Sequence, residues 1–429
     1  MEILMLEGKI LEPARASEGF SKEFPKLIAA SEKLQQYPIE DLCAFFEEYG
    51  KNIARDGRTR NIPGAAFASI WLKKSNLLEI VSAAIGTPLV LRGFVEHGGK
   101  MVKAQPRGLA VHWLAGNVET LPVFSLVQSV LAGNANILRL PSATKGENLA
   151  LLQVLAETRT GKVDGAEVSR SIAAVSVPKE DAEANAMLSS AADVRVVWGG
   201  REAVLAITGM PKSETCEDLV FGPKYSFSVI DGETQKSAGF ESVLQNLASD
   251  VSAFDQSACS SPHTVFLEEG GIELEKAAEM LAKKLEATTK GKSPGGLDAG
   301  VASKIMSLRA QYSFAKGCKA VFPPDMRWTV LAGGKAELEA PCQFRTVFVK
   351  KAKTLGEAAG LATRNTQTIG CAIMDEKNLA RFADQASRRG AARITKIGAM
   401  NFYETPWDGM FPLQRLVRFC SYSKSIASK

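Results

Sequence analysis

The chain has 429 residues, 45% of them hydrophobic and 23% charged, with a formal net charge of +5, and this length leads to two or three domains rather than one small core. The lysines and arginines are scattered among acids without basic blocks or aromatic interleaving, so no nucleic-acid partner is indicated. With only three histidines, at 97, 112 and 263, an all-histidine metal site is not expected, and none of metal type is assigned.

The N-terminus places Glu2 and Glu7 where a signal peptide needs a basic region. The longest apolar run, Leu121 to Ala132, is interrupted by Pro122, Ser125, Gln128 and Ser129. It falls short of the roughly 20 residues of a membrane span. Seven cysteines (43, 216, 259, 318, 342, 371, 420) form an odd, dispersed set without C-x-x-C, which reads as reduced thiols of a cytoplasmic protein.

In chain order, residues 15 to about 90 carry apolar side chains at helical spacing, among them Leu27, Leu34, Leu42, Phe45, Phe46, Leu77 and Val81. The span 1–90 is thus expected to be an N-terminal helical segment. From Gly108 the pattern alternates. Strands are expected at Leu109–Trp113, Asn136–Leu140, Ser171–Val177 and Val194–Trp198, with helices between them. Such alternation implies right-handed βαβ units and a doubly wound parallel sheet. Two short strands follow, near 218–221 and 226–230, and this first α/β domain is bounded at 91–235. A second α/β alternation fills 236–400, with a loop at 291–296. The tail, 401–429, reads as irregular and rich in aromatics.

Ligands of a doubly wound sheet bind beyond the carboxyl ends of its strands. After the first strand comes Ala115-Gly116-Asn117; after the fourth comes Gly199-Gly200, opening a helix at Arg201. A glycine pair there lets backbone N–H groups approach a phosphate. The same pair also serves as a tight strand-to-helix turn, and no G-x-G-x-x-G follows a strand in this region. Among the cysteines, Cys43 and Cys371 lie in apolar patterns and read as core. Cys259 differs: its neighbours are Gln256, Ser257, Ala258, Ser260, Ser261 and Pro262, at the junction of the two alternations. Spacing alone leaves it either a nucleophile or a bystander. Nothing in the sequence lowers its pKa, because the preceding helix presents its carboxyl end.

A set of ordered motifs resembles the aldehyde dehydrogenase superfamily. They are His112-Trp-Leu-Ala-Gly-Asn117, then Ser129-Val-Leu-Ala-Gly-Asn-Ala-Asn-Ile-Leu-Arg-Leu-Pro-Ser142, Val197-Trp-Gly-Gly-Arg-Glu-Ala203, Gln256-Ser-Ala-Cys259 and Arg364-Asn-Thr-Gln-Thr-Ile-Gly370. The Gln-to-Cys spacing is one residue longer than the family's nucleophile box. Ala115–Val118, Phe221–Ser226, Ala258–Pro262 and Trp407–Gly409 are similar, within that superfamily, to acyl-CoA reductases of the bacterial bioluminescence (LuxC) type. The resemblance implies an aldehyde-dehydrogenase-like α/β fold: two doubly wound α/β domains, the first binding a nicotinamide cofactor and the second carrying the nucleophile.

It further implies reduction of an acyl thioester to the aldehyde through an acyl-Cys259 intermediate, with Asn117 and the Cys259 backbone N–H holding the oxyanion. Gly199 and Gly200 would lie at the cofactor pyrophosphate, and Arg139 and Ser142 at its adenosine ribose. Arg139 stands where the family has lysine and suits a 2′-phosphate, favouring NADPH, with NADH as the other candidate. Val220 stands where oxidising members carry the glutamate that activates water. Glu268 and Glu269 are expected as surface charges. The donor would be acyl-CoA, an acyl carrier or an acyl-protein synthetase, and the assembly a homo-oligomer. An aldehyde or semialdehyde dehydrogenase of the same fold, or a non-catalytic relative acting in assembly, are the competing readings.

Overall fold

The computed structural model describes residues 1–15, 19–292 and 297–424, so residues 293–296 of the expected loop lie outside the described residues. The chain forms two compact units, residues 1–222 with the chain from Tyr403 onward, and residues 223–402.

The first unit opens with a hairpin, β1 (Glu2–Leu6) and β2 (Lys9–Arg15). The span 1–90 is therefore not wholly helical. An apolar run as short as Ile3–Leu6 fits either periodicity, and pairing with the sheet settles it as a strand that buries Leu4 and Met5. Helices Phe24–Ser31, Ile39–Arg55, Ala65–Trp71 and Lys74–Ile85 follow. The second of them buries Leu42, Phe45, Phe46, Tyr49 and Ile53 along one face.

A short ribbon, β3 (Val95–His97) and β4 (Lys100–Pro106), leads into β5 (Leu109–Trp113), β6 (Ala135–Arg139), β7 (Ile172–Ser176), β8 (Val194–Trp198) and β9 (Glu217–Phe221). These last five run parallel, and the sheet order is β2-β1-β7-β6-β5-β8-β9. Helix Leu121–Ala132, buried along its whole length, connects β5 to β6 and ends at Gly133 in a left-handed conformation, φ 91°. Such a φ favours glycine, which lacks the Cβ that would clash.

The second unit carries β10 (Tyr225–Ile230), β11 (Pro262–Glu268), β12 (Lys319–Val321), β13 (Thr329–Ala332), β14 (Thr346–Ala352), β15 (Thr366–Ala372) and β16 (Arg393–Lys396). Their order is β12-β13-β14-β11-β10-β15-β16, parallel except for β12. β10 lies before the expected boundary at 235, yet it pairs with β11 and β15 in this second sheet. Only Gly222-Pro223-Lys224 separates β9 from β10, and an apolar pattern does not reveal which sheet a strand joins. The tail, expected to be irregular, forms β17 (Val417–Ser423), paired residue by residue with β4. Six of its seven residues are exposed, so no burial alternation marks it in the sequence.

One buried cation fixes the end of the first sheet. Arg195 on β8 is fully buried and forms two bonds to the Asp218 carboxylate on β9, at 2.6 and 2.8 Å. It also donates to the Ile207, Thr208 and Met210 carbonyls, which close helix Arg201–Thr208. That helix buries only Ile207, so its carboxyl end is its anchor. Arg195→Met is expected to lower unfolding free energy by about 3 kcal/mol. This is the low end for a broken buried pair, because Lys212 still reaches Asp218. Urea denaturation of the two proteins measures it.

Candidate active site

In the second unit, helix Phe240–Ser252 delivers the chain to Phe254, Asp255 and Gln256, whose φ angles of 50°, 49° and 66° are left-handed. Each non-glycine residue in that region costs about 1–2 kcal/mol. A second left-handed triplet, Gln343, Phe344 and Arg345, lies against the first. The Phe344 N–H donates to the Asp255 carbonyl at 3.1 Å, and the Arg345 guanidinium binds the Asp255 carboxylate. Gln256, fully buried, accepts from the Thr346 N–H at 2.9 Å and donates to the Thr346 and Pro262 carbonyls. Paired in this way, buried polar groups avoid the desolvation cost they would otherwise carry.

Cys259 follows on the turn Ala258–Ser261, closed by the Ser261 N–H to the Ala258 carbonyl at 3.0 Å. Its carbonyl accepts from the Ser226 hydroxyl at 2.7 Å, and that hydroxyl accepts in turn from the Thr368 N–H. The Asn401 side-chain oxygen accepts from the Ser260 and Ser261 hydroxyls, while its amide donates to the Asp250 carbonyl. The turn is thus held from two sides, by Ser226 and by Asn401. Cys259 stands on a turn, not at the start of a helix.

The thiols divide by burial. Cys43, Cys216, Cys342 and Cys371 are buried, and burial pushes each thiol up, that of Cys43 to about 12. Cys259 and Cys318 are half-buried, and Cys420 is exposed on β17. Of these three, Cys259 alone lies on a turn whose neighbours are side-chain-locked. His263 is buried, and burial drives its imidazole down to about 4, so it stays neutral near pH 7. Glu268 is not a surface charge as expected: its carboxylate accepts from the Gly232 and Leu355 N–H groups. Glu269 is exposed.

In the first unit, the remaining expected site residues share one sheet edge, at the carboxyl ends of β5, β6 and β8. Asn117 is exposed in the loop after β5. That loop is tied at Glu119, whose carbonyl accepts from the Asn148 amide at 2.7 Å. A Cβ on Gly116 would stand 3.2 Å from Pro141, so the loops after β5 and β6 touch. Arg139 ends β6, its guanidinium donating to the Val177 carbonyl at 2.8 and 3.1 Å. Ser142 is exposed nearby. Gly199 and Gly200 join β8 to helix Arg201–Thr208. No side chain caps that helix, and nothing stands within 4 Å of where a Cβ on Gly200 would lie. An open glycine before uncapped N–H groups fits a pyrophosphate, although Glu202 in the first turn opposes one. Among the described residues, no three His, Cys, Asp or Glu side chains group as a metal site, and no helix is long and apolar enough to cross a membrane.

The sequence carries no sign that Ser226 and Asn401 hold the Cys259 turn or that Arg345 holds the triplet before it. Only Gln256, inside the nucleophile box, carried a signal.

The architecture is that of the aldehyde dehydrogenases. The structure is similar to aldehyde dehydrogenase 21 from Physcomitrella patens, in complex with succinate (TM-score 0.68, 12% identity, 98% of this chain and 97% of that one). It is also similar to 3,6-anhydro-L-galactose dehydrogenase in complex with NAP (TM-score 0.63, 11% identity, 98% and 95%). Residues 51–419 match the family model described as acyl-CoA reductase (LuxC), and the chain belongs to that family. It is an oxidoreductase acting on acyl or aldehyde groups. The chain is 28% identical to the long-chain acyl-protein thioester reductase of Aliivibrio fischeri over 370 residues, 83% of this chain and 72% of that protein. It is also 28% identical to the protein of the same name from Vibrio harveyi over 365 residues, 83% and 73%.

The Asp250 carboxyl adds a pH dependence. Burial pushes it up to about 7, against the Gly398 and Met400 N–H groups and the Arg393 charge. From the ordinary carboxylate range to about pH 7, the folded state keeps a proton that the unfolded chain has lost, so stability falls as pH rises through that window. Asp250→Asn is expected to flatten this slope between about pH 5 and 7, as measured by urea unfolding at stepped pH.

Proposed function

We propose that this protein reduces the acyl group of a thioester to the aldehyde with NADPH, through an acyl intermediate on Cys259. The observation that carries the reading is the half-buried Cys259 thiol on a side-chain-locked turn, in a chain of the acyl-CoA reductase family. The relatives' names favour an acyl-protein donor, such as an acylated synthetase, with acyl-CoA as the small-molecule equivalent. In this reading the protein works in the cytoplasm, in keeping with its dispersed cysteines, and by the family resemblance as a homo-oligomer.

In this mechanism the Cys259 thiolate adds to the thioester carbonyl, and the oxyanion is taken by the Asn117 side-chain amide and the Cys259 N–H. The oxyanion then collapses, expelling the donor thiolate and leaving the acyl group on sulfur. Reduced nicotinamide, when bound, would supply a hydride to the acyl carbon; the tetrahedral oxyanion then collapses, releasing the aldehyde and returning the Cys259 thiolate. Val220 is half-buried on β9 and offers no base for water, so the acyl-cysteine is spared hydrolysis. Gly199 and Gly200 would receive the pyrophosphate. Arg139 and Ser142 would face the adenosine ribose, the guanidinium matching a 2′-phosphate.

Steady-state assays with acyl-CoAs of graded length should show NADPH consumption. Asn117→Ala should lower kcat by about 10²–10³ with little change in KM, as for loss of one oxyanion donor. Absence of turnover with every thioester and with both NADPH and NADH would sink the proposal.

A further inference from the structure

A nicotinamide cofactor bound as proposed has its adenosine end at β6 and its pyrophosphate at the turn after β8. In the sheet these strands lie in the order β6-β5-β8-β9, about 4.8 Å apart. A dinucleotide laid along this edge in that direction next meets the ends of β8 and β9. There Trp198 and Phe221, the last residues of the two strands and partners in register, stack face to face. Their ring centroids are 3.7 Å apart and their planes 10° from parallel. Phe221 is buried beneath, and Trp198 is half-buried.

The indole is also held at its edge. Its N–H donates to the Ser125 hydroxyl oxygen at 3.1 Å, and that hydroxyl lies 2.7 Å from His112 Nδ1. His112 Nε2 lies 3.1 Å from Asn136 Oδ1, and the Asn136 amide donates to the Asn134 carbonyl. The directions are set by the last link, because a carbonyl only accepts. Asn136 Oδ1 must then accept from Nε2–H, Nδ1 accepts from the Ser125 hydroxyl, and the Ser125 oxygen is left to accept the indole proton. The Nδ1 link runs this way because the imidazole is neutral, burial driving His112 down to about 4. Ser125, His112 and Asn136 are all buried. A polar chain in that setting costs free energy unless every member is paired. What this one achieves is a fixed orientation of the Trp198 ring.

Resting on that cofactor placement, we infer that Trp198 is the face on which the nicotinamide ring stacks, backed by Phe221, with Ser125 and His112 as positioning residues for the indole. The oxidised nicotinamide ring carries a positive charge and the reduced ring does not. A cation over an indole face gains about 0.5–2 kcal/mol, so Trp198 favours the oxidised form, and with it the charge that develops on the ring as it is oxidised.

The test is binding, not turnover: dissociation constants of NADPH and NADP⁺ by calorimetry, for the wild type, Trp198→Leu, Trp198→Phe and Ser125→Ala. Trp198→Leu should weaken NADP⁺ more than NADPH, moving the ratio of the two constants by about 3- to 30-fold. Trp198→Phe keeps a ring of weaker quadrupole and should fall between. Ser125→Ala, which leaves the stack but frees its edge, should shift the ratio in the same direction by a smaller factor and shows the effect even where the leucine variant folds poorly. Tight binding of both cofactors with an unchanged ratio in all three variants overturns the assignment of Trp198 while leaving the cofactor reading intact. Failure of the wild type to bind either cofactor overturns both.

Discussion

The lock between two left-handed backbone triplets is the constraint on which the Cys259 turn depends. Residues 254–256 and 343–345 hold conformations that none of their side chains favours. They are stabilised together by the Asp255–Arg345 pair and the three bonds of Gln256. The reversal they impose turns the chain out of helix Phe240–Ser252 and sets Cys259 on a tight turn before β11. Ser226 and Asn401 then hold the turn from β10 and from the segment after β16. If Cys259 attacks a carbonyl as proposed, a thiol held in this way loses little freedom on the way, which is the usual source of positional advantage in catalysis.

The first unit solves a different problem. Its parallel strands end along one edge, where Gly199 and Gly200 lead into a helix that no side chain caps, and ligands of such sheets bind at that edge. Helix Arg201–Thr208 buries little of its own surface, so its position is set from below, by Arg195 reaching its terminal carbonyls. The same end of the sheet carries the buried relay from Asn136 through His112 and Ser125 to Trp198. Two buried polar arrangements therefore converge on one turn, Trp198-Gly199-Gly200. Neither adds much hydrophobic burial, and both fix geometry.

The parallel strands were legible because burial on both faces leaves near-continuous apolar runs, broken by one polar residue each in Leu109–Trp113 (His112) and Val194–Trp198 (Arg195). β17 was not, because its exposed side chains follow no pattern, and β1 was too short to separate strand from helix. Cys259 stood out by its polar neighbours and by the ordered motifs around it. The lock behind it was invisible for two reasons. Its left-handed residues are Phe, Asp, Gln, Gln, Phe and Arg, without the glycine that would announce such a backbone. Its partners also lie 90 residues apart in the chain. Arg195 was visible as a charge within a strand, but its role required the helix end it binds.

Intact-mass spectrometry after brief mixing with an acyl-CoA, followed by addition of NADPH, tests the central claim most directly. The account predicts a mass gain of one acyl group, mapped by peptide analysis to Cys259, that disappears with release of free aldehyde when NADPH is added. An acyl adduct on another cysteine, or an adduct that NADPH discharges as the free acid, would contradict it.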